Sequence, residues 1–136
     1  MSDCSKPCPF CDISDARILR QNAEALAISD AYPVSCGHTL VIPRRHVADL
    51  FELSEMELAE VVRLVGEMKK QLAAGASPGG FNIGVNIGGD AGQTVMHAHV
   101  HIIPRYAGDV ADPIGGVRNV IPGKGRYPFD EPPSQT

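Results

Sequence analysis

Three of the five histidines alternate within one short stretch, His97-Ala98-His99-Val100-His101-Ile102-Ile103. Successive side chains of a β-strand point to opposite faces. A strand here therefore sets three imidazoles on one side and Ala98, Val100 and Ile102 on the other. Such a chain must build a sheet with one face to bury and one face kept for another purpose. A polar strand face that happens to be rich in histidine would give the same pattern. The remaining two histidines argue against that, since His38 and His46 also fall in a strand-like segment and the turn after it. Imidazole titrates near neutral pH, with an unperturbed pKa of about 6.5, so a row of them can supply nucleophile, base and acid together.

The cover for the apolar face is legible further upstream. Ser54 followed by Glu57 has the form of a capping box, after which Leu58, Val61, Val62, Val65, Met68 and Leu72 recur at helical spacing as far as Gly75. Strands are predicted over 17–21, 25–29, 38–42, 81–87 and 96–103, punctuated by Pro33, Pro43, the Ser77-Pro78-Gly79-Gly80 loop and the glycine-rich turn from Gly88 to Gly92. Helix and strand do not alternate regularly enough for a doubly wound parallel sheet. The expected fold class is α+β: a five-stranded antiparallel sheet, one long helix, and a short N-terminal helical or knuckle segment. A chain of 136 residues with 43% hydrophobic content suits one domain. Residues 8–106 would form its body and 107–136 a Gly/Pro-rich extension with loose final residues.

Charge and cysteine usage narrow the function. A net charge of −4 does not suit a nucleic-acid polymer, which needs a basic face, but leaves a small phosphorylated ligand open. Met1 to Pro7 is polar and no apolar run approaches a membrane span, so a cytoplasmic location without membrane attachment is expected. There, four cysteines point to metal or free thiols rather than disulfides. Cys8-Pro9-Phe10-Cys11 is half of a tetrahedral zinc site. The runner-up reading of the same spacing is a redox pair, or two reduced cysteines without metal.

The segment ending in the three histidines resembles the signature of the histidine-triad family, His-φ-His-φ-His-φ-φ with φ apolar, and all seven positions fit. The similarity extends through Asp30, the segment from His38 to His46 and the glycine loop, covering about residues 8–106. The resemblance implies a nucleotide hydrolase or transferase acting at an α-phosphate, with a purine mononucleotide or dinucleoside polyphosphate as substrate partner. It also implies a homodimer whose sheets join across the interface. His99 matches the family nucleophile, which forms a covalent nucleotidyl-histidine; His101 matches the phosphate contact, and His38 an orienting or proton-handling group. Asp30 matches the carboxylate that receives the ribose hydroxyls. Gln93 and Thr94 match contacts to the leaving group and phosphate, and Asn86 a polar position near the phosphate. Phe10, Ile13 and Ile28 match apolar positions around the base, and serve equally as core. Histidine rather than glutamine at 101 favours hydrolysis over nucleotidyl transfer. The absence of Trp and the long tail set the chain apart from the small phosphoramidase branch. Bacterial members of the zinc-binding branch imply a structural Zn2+ on Cys8, Cys11, His46 and His97, with Cys4 a substitute ligand and Cys36 an ordinary thiol.

Two other functions suit the same residues. Alternating histidines can chelate a catalytic metal with an open position, giving a metal-dependent hydrolase. A non-catalytic nucleotide-binding module would need the pocket but not the nucleophile.

Overall fold

The computed structural model describes residues 8–130; Cys4 and the last six residues lie outside them. Five strands form one antiparallel sheet: β1 (Ile18–Gln21), β2 (Ala25–Ser29), β3 (Thr39–Pro43), β4 (Gly80–Val85) and β5 (Val100–Arg105), in the order β1-β2-β3-β5-β4. The single α-helix, α1 (Glu55–Ala74), follows β3 as expected. Ser54 caps it with a complete capping box, its hydroxyl accepting from Glu57 N–H while the Glu57 carboxylate accepts from Ser54 N–H. Glu57 also holds Arg45 at 3.0 Å, so the cap ties the helix start to the turn after β3.

Burial divides the sheet into two faces. Ala25, Ala27, Val41, Val100 and Ile102 pack under α1 with Val61, Leu64 and Met68. The opposite face gathers Ile28, Leu40 and Ile42 beneath Phe10 and Ile13 from the N-terminal segment. That segment is a turn closed by Cys11 N–H on Cys8 O at 3.3 Å, then a 3-10 turn over Asp15–Arg17. All of β3 is buried because both faces are covered. On α1 the inward row is Val61, Leu64 and Met68, flanked by Leu58, Val65 and Leu72. Val62, expected in that stripe, is 62% exposed. Three- and four-residue steps from Val61 reach Leu64, Val65, Met68 and Leu72, whereas Val62 is turned about 100° away.

The strand carrying the histidines begins later than its composition predicts. Only His101 lies in β5; His97 sits in a bend and His99 in backbone outside the ladder. Pairing with β3 runs only from Thr39↔Ile102 to Val41↔Val100. Beyond it Ala98 N–H donates to Val47 O at 2.7 Å, and the Pro43 carbonyl accepts from the His97 ring, also at 2.7 Å. The ladder stops because its next partners are occupied. Alternation survives without it: Ala98, Val100 and Ile102 all enter the helix-side core. The other boundaries move by one or two residues, β3 shifting to include Pro43, which pairs with Ala25, and β4 ending at Val85 rather than 87.

An N-cap of this kind contributes about 1 kcal/mol. Ser54→Ala should lower the unfolding free energy by about that amount in urea denaturation. An unchanged midpoint would mean the capping box does not bear on stability.

Candidate active site

The site face holds a cavity of about 480 Å³ whose lining includes Phe10, Asp30, Asn86, Thr94, His99 and His101. The rings of His99 and His101 stand 5.1 Å apart, and Phe10 presents itself to His99 at the same centroid distance. Their hydrogen-bond partners determine where the protons sit. His99 Nδ1 lies 2.9 Å from the backbone oxygen of His97, a group that can only accept. Nδ1 therefore carries the hydrogen, and the lone pair is left on Nε2.

The hydrogen bonds of His38 fix His101. Val34 N–H donates to His38 Nδ1 at 3.1 Å, so a neutral His38 carries its hydrogen on Nε2. That hydrogen meets His101 Nδ1 at 2.9 Å, with the Asp30 carboxylate farther off at 3.5 Å. His101 Nδ1 accepts, which puts the His101 hydrogen on Nε2. Adjacent rings thus present opposite character: an acceptor nitrogen on His99 and a donor nitrogen on His101.

Burial holds His38 and His101 below the ordinary histidine value of 6.5. For His38 the Asp30 charge pulls the other way but is the smaller effect. For His101 the neighbouring His99 and His38 add to the lowering, and Asp30 opposes it weakly. Both rings are therefore neutral at pH 7.

Cys8, Cys11, His46 and His97 form the second constellation, their ligand atoms all within 4.8 Å of one another. Individual separations are 3.1 Å for Cys11 Sγ to His46 Nδ1, 3.1 Å between the two Nδ1 atoms, and 3.5 Å for Cys8 Sγ to His97 Nδ1. A tetrahedral centre with bonds of about 2.0–2.3 Å needs ligand–ligand edges of about 3.3–3.8 Å. These side chains approach that shape. His97 is wholly buried and donates Nε2–H to Pro43 O, which turns the Nδ1 lone pair toward the two sulfurs. The donor set is one that fits zinc.

Several predicted residues take other places. Ile28 is completely buried and packs beneath the site with Ile13; neither lines the cavity, and Leu40 forms its apolar floor instead. Gln93 is 5% exposed, and its amide is committed to Ala48 O, Val95 O and Gly88 N–H. It braces the glycine loop from a place on the cavity lining. The loop in turn uses the N–H groups of Gly88, Ala91, Gly92 and Gln93 internally, so it is a shaped turn more than an anion cradle. Gly92 requires its residue type, with φ at +94°. Arg17 and Tyr32 at the cavity rim were not singled out in the sequence. Leu40 could have been found by counting two from His38; Arg17 carried no signal.

The HIT domain family matches residues 13–108 of the chain. The chain belongs to the HIT family. A HIT family protein of Bacillus anthracis has the same fold, with a TM-score of 0.68, 40% identity and 75% of each chain covered. A zinc-bound histidine triad family protein of Mycobacterium smegmatis superposes with a TM-score of 0.63 at 34% identity, over 68% of this chain and 67% of that one. AP-4-A phosphorylase of Mycobacterium tuberculosis is 33% identical over 114 residues, which are 79% of this HIT chain and 58% of that enzyme. No helix among the described residues is long and apolar enough to cross a membrane.

The lowered histidines set a pH dependence of stability. Above pH 6.5 His38 and His101 are neutral in both folded and unfolded chains. Below it the unfolded chain takes up protons that the folded one resists, so stability drains away as pH falls. The urea midpoint should drop between about pH 7.5 and 5.5, and drop less in His38→Gln. Identical losses in the two proteins would remove His38 from the account.

Proposed function

We propose that this HIT protein is a nucleotide hydrolase that acts through a covalent nucleotidyl-histidine on a phosphoanhydride or phosphoramidate. The single observation carrying this reading is the His99 Nδ1–H bond to the His97 carbonyl, which leaves Nε2 with its lone pair beside the cleft. An uncharged nitrogen is not repelled by the oxygens of an α-phosphate, and a covalent intermediate divides one hard displacement into two easier ones. In the first step a bond forms from Nε2 to phosphorus and the bond to the leaving group breaks, the leaving atom taking a proton. In the second, water forms the new P–O bond, His99 leaves, and a nucleoside monophosphate is released. His101 Nε2–H suits a phosphate oxygen that gains charge in either step. Asp30 suits the two ribose hydroxyls, Phe10 and Leu40 the purine, and Asn86 and Thr94 the phosphate and leaving group.

A relative named AP-4-A phosphorylase supports nucleotide substrates in general. The metal-dependent alternative has one possible foothold, since Asp30, His38 and His101 also bring ligand atoms together. His38, however, uses both ring nitrogens in hydrogen bonds to Val34 and His101, which favours proton handling there.

Wild-type protein mixed with diadenosine triphosphate or adenosine 5′-phosphoramidate should accumulate an adenylylated enzyme, detected by mass spectrometry without acid quench. His99→Ala should form none and lose at least about 10³-fold in turnover. Equal turnover by the variant would discard the assigned nucleophile. Adenosine monophosphate binding without turnover by wild type would leave a binding module.

We also infer a structural zinc held by Cys8, Cys11, His46 and His97. Bound there, it would tie the N-terminal knuckle to the sheet and contribute folding free energy. Elemental analysis should give about one zinc per chain. Cys11→Ser should lower both zinc content and Tm. A protein whose Tm ignores a strong chelator would contradict the assignment. A homodimer also belongs to this reading, supported by the position of β4 at the sheet edge and the exposure of Ile83 on it. Light scattering should then report twice the 14.5 kDa chain mass.

A further inference from the structure

Phe10 stands between the two constellations. It sits inside the Cys8-Pro9-Phe10-Cys11 turn, so the residues on either side of the Pro9-Phe10 pair are both members of the Cys/His cluster. Its ring reaches the two groups at once. The centroid lies 6.1 Å from the His97 ring, nearly perpendicular to it at 87°, and 5.1 Å from the His99 ring at 64°. Pro9 and Phe10 both line the cavity that holds Asp30, His99 and His101.

The turn meets the sheet through side chains. Cys11 Sγ lies 3.1 Å from His46 Nδ1 and Cys8 Sγ 3.5 Å from His97 Nδ1, while Phe10 and Ile13 rest on Ile28, Leu40 and Ile42. A thiol is a weak donor and a weak acceptor, so the sulfur contacts alone hold the turn loosely. A metal ion bonded to both sulfurs and both imidazoles fixes Cys8 and Cys11 together. The ring between them then keeps little backbone freedom, and the entropy of ordering it is lost before any ligand arrives.

The other contact between the clusters is already rigid. His97 is fully buried and anchored on the Pro43 carbonyl at 2.7 Å. Phe10 is only partly buried, which makes it the movable link. Stacking on an aromatic ring raises the affinity for a base by about tenfold or more. Linkage of this kind acts in both directions: a base packed on the ring holds the turn, and a held turn keeps two sulfurs in place for the metal.

Resting on the readings of a zinc at Cys8, Cys11, His46 and His97 and of a nucleotide in the cleft, we propose that Phe10 couples the two sites. Zinc and a purine mononucleotide each raise the affinity for the other through the position of that one ring. Phe10 is in this respect a positioning residue, and the metal set is a control on the cleft as well as a tie between the turn and the sheet.

Adenosine monophosphate titrated calorimetrically into the zinc-loaded full chain should bind about tenfold more tightly than to the same protein after chelator treatment, with circular dichroism reporting the fold of each. The reciprocal measurement is equilibrium competition for zinc against a chelator of known affinity. Adenosine monophosphate should raise the zinc affinity by about the same factor. Phe10→Ala keeps all four ligands, and Phe10→Tyr keeps the ring. With the nucleotide at the same multiple of each variant's own Kd, the factor should fall to within about twofold of unity in Phe10→Ala and return in Phe10→Tyr. Matching the nucleotide to each Kd cancels any gain that comes only from stabilising the folded chain, so the comparison holds even where the metal-free protein unfolds. An equal factor in wild type and Phe10→Ala, or a nucleotide Kd indifferent to zinc, overturns the coupling while zinc content stays at about one per chain. A chain that takes up no zinc, or a loaded chain that binds no adenosine monophosphate, overturns the corresponding reading above and the coupling with it.

Discussion

His97 is the residue through which the two chemical constellations and the sheet are joined. Its Nε2–H is spent on the Pro43 carbonyl, its Nδ1 faces the two cysteines and His46, and its own carbonyl receives the His99 ring. A wholly buried imidazole with an unmet donor would cost about 1–3 kcal/mol, so the Pro43 bond is a condition of burying it. Once that bond is made, the remaining directions follow. The ring cannot turn without breaking it, and the backbone at 97 cannot shift without releasing His99. The tautomer of His99 is thus inherited from a packing requirement two residues away.

The same region shows why a sheet is interrupted where its chemistry begins. A continued ladder between β3 and β5 would consume the Pro43 and His97 backbone groups that now serve side chains. The backbone before β5 keeps the alternation without a partner strand, so Ala98 still fills the core while His97 and His99 face the other way. Core packing then supplies the rigidity that strand pairing would have given. Ile102, fully buried under α1, anchors the register of His101 against Leu40 and Gly84.

What the sequence disclosed and what it hid follow one distinction. Local signals were legible: the Ser54–Glu57 box, the spacing of Val61 to Leu72, the proline and glycine breaks, and the alternating histidines. Each states its message within a few residues. The assembly of Cys8 and Cys11 with His46 and His97 was legible only through family resemblance, because the partners are distant in sequence. The inward placing of Leu64 rather than Val62 depends on where the helix axis meets the sheet, which periodicity alone leaves open to about one residue. Gln93 lines the cavity, and its bracing of Ala48 and Val95 was hidden because an amide has the same hydrogen-bond capacity whatever it is offered to. The 3-10 turn over Gly116–Val120 was hidden for another reason. A run rich in glycine resembles a loose tail until Gly115 and Gly125 are seen to need their missing side chains for backbone contact.

The clustering of neutral imidazoles is itself a consequence of this packing. His38 and His101 lie with ring centroids 5.2 Å apart, and His101 and His99 5.1 Å apart. Placing a proton on His101 meets burial first and then its two neighbours, all acting in one direction, with Asp30 too weak to reverse them. Two charged rings at that separation would repel in a medium that screens poorly. His38 and His101 therefore remain uncharged near neutral pH, and the polarity of the row comes from the order of its hydrogen bonds: Val34 to His38, His38 to His101, and His99 to the His97 carbonyl. Backbone groups set both ends of that order. The order separates the lone pair of His99 from the donor hydrogen of His101 by the width of one side chain.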